Sequence, residues 1–296
     1  MTVEILLAAL GVIGVAFTVD LVRIAIRNNQ WRPNLEAVGL GAITNFFDTL
    51  GIGSFAPSTA WFKLRRMVPD AAIPATLNVG HALPTIAEAL IFIVLVQIDA
   101  GLLLGCIAAA VLGSLIGASI VVRLPVRIVQ GVVGVALLIA AGLYAMTNLG
   151  LFPGGGASLS LPPAYFALAL AIHFVLGALM TFGIGLYAPS LISLSLMGLN
   201  PVGAFPIMMG ACAFLMPVSS FRFVRAERID LRVALGMAIG GVPAVWFAAK
   251  IVKSLPLVWL RWGVVVVVLY AAFLLLRAAV AGRDETATPS PASARA

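Results

Sequence analysis

Gly51-Ile52-Gly53-Ser54-Phe55-Ala56-Pro57-Ser58 interrupts one long apolar run of this chain, and Gly183-Ile184-Gly185-Leu186-Tyr187-Ala188-Pro189-Ser190 interrupts another 132 residues later. Both read G-I-G-x-[F/Y]-A-P-S. Around them Pro69 and Pro74 match Pro201 and Pro206 at the same offset, and Gly131 matches Gly263. Leu124-Pro125 answers Leu255-Pro256 one residue out of register. A membrane domain duplicated in this way, and broken at equivalent points in each half, is the pattern of secondary transporters that bind their substrate between the halves.

Composition sets the solvent. The chain has 296 residues, of which 62% are hydrophobic and 10% charged, with a mean hydropathy of +1.14. A soluble domain carries about a quarter charged residues, so a globular water-soluble fold is excluded. Apolar runs of about 20 residues, long enough to cross a bilayer, recur from residue 3 to residue 280. Barrel strands would alternate in short segments, and none do. The net charge of +7 gathers at helix ends rather than on a basic face interleaved with aromatics, so no nucleic-acid partner is expected. Cys106 and Cys212 lie in apolar segments and read as small buried hydrophobes; no metal or cofactor is expected. The N-terminus lacks a basic n-region and a small-residue cleavage site, so 3–26 reads as a retained helix.

The periodicity predicts helices at 3–26, 36–60, 73–97, 100–122, 127–148, 164–190, 201–219, 232–251 and 256–280. If all nine span, the eighteen Lys and Arg divide ten to eight across the membrane. If the two motif segments are re-entrant hairpins, only Lys250, Lys253 and Arg261 fall outside, leaving fifteen of the eighteen inside. The positive-inside rule favours the second threading. Each limb of 36–60 then has about 12 residues, about 18 Å, which is half a crossing. A broken but fully spanning helix is the alternative. With hairpins, each repeat has an odd number of spans and the repeats are inverted. The expected fold is an all-α polytopic membrane protein. It has an extra helix 3–26, repeat one at 36–148, a linker at 149–163 and repeat two at 164–280, making one transporter domain over 1–281. The polar, Pro-rich tail 282–296 is expected to be disordered. Both hairpin tips are expected to meet at the protein centre, because irregular backbone survives at membrane depth only where protein or water covers it.

The tips carry the first candidate chemistry. Gly51, Gly53, Gly183 and Gly185 permit backbone conformations closed to other residues and allow close approach to a bound group. The half-helices that follow present free N–H groups and the positive ends of their dipoles, and two such termini make an anion site without an arginine. Ser54, Ser58, Thr59, Tyr187 and Ser190 add hydroxyls. The simpler alternative is that the glycines serve tight helix packing. Asn78, His81, Thr85 and Glu88 share one face of 73–97, and Asn45, Asp48 and Thr49 precede the first tip. Ionisable groups inside a bilayer are costly and are functional candidates by default, so Asp48, His81 and Glu88 are the proton-coupling candidates. His81 is the first choice for its near-neutral intrinsic pKa and its lack of a second-repeat counterpart, Ala213 standing there instead. The alternatives are a neutral packed histidine at His81 and a capping carboxylate at Asp48.

The block from Phe47 to Ala60, with Lys63 and then Ile73 to Thr85, resembles the sulfite exporter TauE/SafE (anion permease) family, although Gly51-Ile52-Gly53-Ser54 stands where the commoner family motif has a glycine triplet. The resemblance implies movement of sulfite or organosulfonate anions across the bacterial inner membrane by a multi-pass carrier, as a monomer or homo-oligomer. On that reading Gly51, Gly53, Ser54, Ser58, Thr59, Asn78, Gly183, Gly185, Tyr187 and Ser190 hold a small anionic substrate within the lipid bilayer, and the chain is not an enzyme. An intramembrane enzyme, or a channel or assembly subunit on the same bundle, is the competing class.

Overall fold

The structure, a computed structural model, describes residues 2–121, 123–151, 156–225, 229–251 and 257–281. Among these it is all-helical apart from one isolated bridge between Ser158 and Leu199. The helices are α1 (Thr2–Arg27), α2 (Leu35–Thr49), α3 (Phe55–Arg65), α4 (Ile73–Leu95), α5 (Ala100–Val121), α6 (Val126–Asn148), α7 (Pro163–Met180), α8 (Tyr187–Leu196), α9 (Pro201–Arg225), α10 (Leu231–Ile251) and α11 (Leu257–Ala281). Seven of them are long and apolar enough to cross a membrane. The chain is an all-α polytopic membrane protein. The expected tail at 282–296, residues 152–155 of the linker, and Arg228 and Lys253 lie outside the described residues.

Each motif breaks a helix where glycine was expected to. Gly51 and Gly53 take φ of 81° and 91°, and Gly183 takes 89°, all in the left-handed region that side chains disfavour. Short helices follow, so each motif sits at the tip of a helix pair. The open ends of both pairs are stitched together. Glu36, in the first turn of α2, accepts from Trp61 Nε1 at 3.0 Å and from Arg65 Nε at 2.7 Å, both late in α3. Just before α7 and just after α8, Gly156 N donates to Leu199 O and Asn200 N donates to Ser158 O. Both pairs are hairpins.

The two hairpins open at opposite ends of the bundle. The first opens where α4 and α10 begin: Asn34 N donates to Arg232 O, and Asp230 N donates to Thr76 Oγ1. The second opens where α5 begins, since Asp99 N donates to Leu159 O. Side chains cap these starts. Asn34 Oδ1 accepts from Ala37 N, Asp99 Oδ1 from Leu102 N and Asp230 Oδ1 from Val233 N, which satisfies N–H groups that a helix start leaves without partners.

The first limb of each hairpin packs against a helix of the other half: α2 on α10, and α7 on α5. Small residues allow backbone-to-backbone approach there. A Cβ at Gly240 would run into the Val38 carbonyl oxygen, one at Gly113 into that of Phe174, and one at Gly177 into that of Ala110. A large core joins α1, α2, α4, α5, α7, α8, α9 and α10, and a smaller one gathers α6 and α11 around Val133, Leu137, Ala272 and Leu275.

One expectation is corrected. Sequence reading ended the first motif helix at residue 60 and put Lys63 in a loop. Instead α3 runs to Arg65 and Lys63 is buried, with its Nζ 2.8 Å from Asp70 Oδ2. Gln130 Nε2 on α6 donates to the same oxygen at 2.8 Å. A partnered ammonium can stay in the protein where a lone one could not.

Gly113→Ala and Gly240→Ala are each expected to cost about 1–3 kcal/mol, because the facing group is backbone and cannot rotate away. Gly142→Ala, which meets nothing within 4 Å, is the control and should be neutral or slightly stabilising. Melting temperatures of the three purified variants check this.

Candidate functional site between the hairpin tips

The two tips meet. Ile52, Gly53, Phe55 and Ala56 from the first, and Ile184, Gly185, Tyr187, Ala188 and Pro189 from the second, line one cavity of about 50 Å³. Ile139 and Leu143 of α6 close it. Phe55 and Ala56 are the first two residues of α3, and Tyr187 and Ala188 are the first two of α8. Both half-helices therefore bring first-turn residues, whose N–H groups have no partner within the helix, to the same space. A water needs about 10–15 Å³ by this kind of measure, so the cavity has room for a few waters or one small ion.

Of the predicted tip residues, Gly53, Gly185 and Tyr187 line this cavity, and the others stand around it. Gly51 faces the Phe205 ring, and Gly183 faces Leu77 and Pro74. Ser54 does not cap α3 with its side chain; its hydroxyl donates to Asp48 Oδ2 at 2.9 Å, across the break. Asp48 thus ties the end of α2 to the start of α3. Asn78 Nδ2 donates to Pro74 O and, across the halves, to Met180 O at 3.1 Å. Asn78 Oδ1, Thr59 Oγ1 and Thr85 Oγ1 are buried with no hydrogen-bond partner among the described residues.

Ser58 and Ser190 share one arrangement. Ser58 Oγ lies 3.0 Å from His81 Nε2, and Ser190 Oγ lies 2.9 Å from His173 Nε2. The far ring nitrogens identify the donors. His81 Nδ1 is 2.8 Å from Asn45 Oδ1, whose amide nitrogen is engaged by Gly41 O. His173 Nδ1 is 2.8 Å from Ala169 O. Each Nδ1 faces an acceptor, so in the neutral ring it carries the proton and the serine hydroxyl donates to Nε2. The serines thereby fasten α3 to α4 and α8 to α7. His81 does have a counterpart after all. Sequence alignment missed it because the second histidine comes from the hairpin limb, at the position of Gly41, rather than from the helix that aligns with α4.

Glu88 is the residue that joins the halves. Its Oε1 accepts from Thr49 Oγ1 at 2.9 Å and its Oε2 accepts from Tyr187 OH at 2.6 Å. Tyr187 therefore borders the inter-tip cavity and also holds Glu88, on the helix of the other half. Asn45, Ser58, His81, Glu88, His173 and Ser190 are all 0% exposed, so water reaches none of them in this conformation. Cys212 Sγ sits 3.4 Å from Met180 Sδ, and both cysteines are buried free thiols, as packing residues would be.

Comparison of the chain with family models, with curated proteins and with solved structures found no match in any of the three. The likeness drawn above to the TauE/SafE family rests on its motif residues.

Ser58→Ala and Ser190→Ala each leave a buried imidazole nitrogen without its donor and should cost about 1–3 kcal/mol of stability. Equal melting temperatures for wild type and both variants would show that neither serine holds its half-helix.

Proposed function

We propose that this chain is a secondary transporter for a small sulfur oxyanion, of the sulfite or organosulfonate type, in the bacterial inner membrane. Its two halves would be inverted repeats, α2–α6 and α7–α11. The observation that carries the reading is the meeting of two half-helix N-termini at one cavity. Two positive dipole ends and their N–H groups suit an anion. The cavity volume favours a compact oxyanion such as sulfite over a long-chain sulfonate. Hairpins opening at opposite ends of the bundle support the inversion. So does the order of elements, in which each half runs long limb, short limb, then three long helices. Arg32, Arg65, Arg66 and Arg232 lie at the end where the first hairpin opens, which on the positive-inside rule is the cytoplasmic face. Sulfur as the cargo element rests on the resemblance of the 47–85 block.

Coupling follows from the carboxylates. An anion beside Tyr187 and an ionised Glu88 one hydrogen bond further on would repel strongly, because charges interact more in a site shielded from water. A proton on Glu88 relieves that repulsion, so the proton would travel with the anion. Glu88 therefore replaces His81 as first choice for the coupling group. Both nitrogens of His81 are already engaged in holding α3.

A second reading has one observation in its favour. Ser58, His81 and Asn45 are linked in the order nucleophile, base, orienting amide, as in some hydrolases. Against it, Ser58 is buried and does not border the cavity. We expect a fluorophosphonate probe to leave Ser58 unlabelled in the folded protein; a covalent adduct at that residue would favour the enzyme.

The transport reading is tested with methanesulfonate, whose charge is constant over the working range, in proteoliposomes. The wild-type initial rate should depend on pH. Glu88→Gln should retain uptake and lose that dependence, and His81→Gln should keep the wild-type profile while melting at a lower temperature. A Glu88→Gln curve parallel to wild type would remove Glu88 from coupling. No uptake of methanesulfonate or sulfite by the wild type would remove the transporter.

A further inference from the structure

Away from the tips, a second and larger cavity of about 440 Å³ opens between the end of α3 and the end of α11. Lys63, Arg66 and Arg277 line it together with Tyr270 and Leu274. Lys63 forms its inner wall and is held in place by Asp70. Arg66 closes α3 in a left-handed conformation, φ 52°, and is exposed; Arg277 is exposed in the last turns of α11. Among the described residues no acidic side chain lines this space. Among the described residues, three cations around one cavity, with the buried Asp70 behind them, leave a local excess of positive charge. The apolar side chains of Phe273 and Val280 stand exposed on the same helix, so the cavity sits where charged protein meets the lipid boundary.

We propose that this cavity binds the phosphate of an anionic phospholipid headgroup, with the acyl chains lying along α11. Arginine matches phosphate through two parallel N–H donors, and basic pockets between helices at a membrane face are sites for anionic headgroups. Phe273 and Val280 favour a lipid over free phosphate, because they offer the acyl chains a surface that an inorganic ion would not use. The site is separate from the inter-tip cavity and does not depend on what, if anything, the protein transports.

Native mass spectrometry of the purified full chain with dioleoyl phosphatidylglycerol, and in parallel with the zwitterionic phosphatidylcholine, tests this. One phosphatidylglycerol should be retained with a preference over phosphatidylcholine that falls as salt is raised. Arg66→Gln combined with Arg277→Gln should weaken its retention about tenfold or more. The double lysine variant, Arg66→Lys with Arg277→Lys, should keep most of it. Lys63 is left unchanged because its pairing with Asp70 is structural. Equal retention of the two lipids by wild type would overturn the proposal even if the glutamine variant failed to fold. Undiminished phosphatidylglycerol retention by a folded glutamine variant would overturn it as well. Displacement of the lipid by millimolar inorganic phosphate would assign the site to a free ion and overturn the lipid reading.

Discussion

A helix broken at membrane depth exposes backbone N–H and C=O groups that lipid cannot satisfy, so protein has to cover every break. This chain has two, at residues 50–54 and 181–186, and the bundle is arranged around hiding them. The tips cover each other and are backed by α4, α6 and α9. Asp48 bridges the first break to Ser54, and a serine–histidine pair holds each short half-helix. The cost of the breaks explains why the buried polar residues concentrate here, where each can be partnered, and are sparse in the outer helices.

The two tips share a sequence motif but not the charges around it. Position 48 is aspartate in the first half and Met180 in the second, and Glu88 aligns with Ser220. The buried carboxylates Asp48 and Glu88 therefore both come from the first half of the chain. Tyr187, from the second half, borders the cavity and donates to Glu88.

Features that depend on local chemistry were legible in the sequence. The G-I-G pattern announced left-handed turns, and three of the four motif glycines adopt them. The charge distribution announced hairpins, and Glu36 with Trp61 and Arg65 holds the first one shut at its base. Partnerships across long separations were not legible. Asn45 with His81 and Glu88 with Tyr187 involve residues whose positions were noted but whose pairing depends on how helices cross, as does the pairing of Ser190 with His173. The Lys63–Asp70 pair was missed for another reason. A lysine beside two arginines at the end of an apolar run looks like a solvated flank, and nothing local to it reveals that Gln130 and Asp70 wait on the other side.

Internal packing also limits how such a bundle can move. Because α2 packs on α10 and α7 on α5 through backbone contacts at Gly240, Gly113 and Gly177, the sequence halves are interlocked. Separating them as two bodies would break the closest contacts in the structure. The α6–α11 pair differs: it packs through a smaller core shared with Ile52, Ala60, Ala75, Ala118 and Phe223, and the close glycine contact of α6, at Gly134, is made to Leu276 of α11. Its seam with the larger body runs past Ile139 and Leu143 at the tip cavity and past Arg277 at the basic cavity. Across that seam Gln130 of α6 donates to Asp70 and α3 packs on α11, whereas the contact between the halves is interlocked backbone. A lipid held between α3 and α11 would lie across the same seam and add to the contacts that hold it.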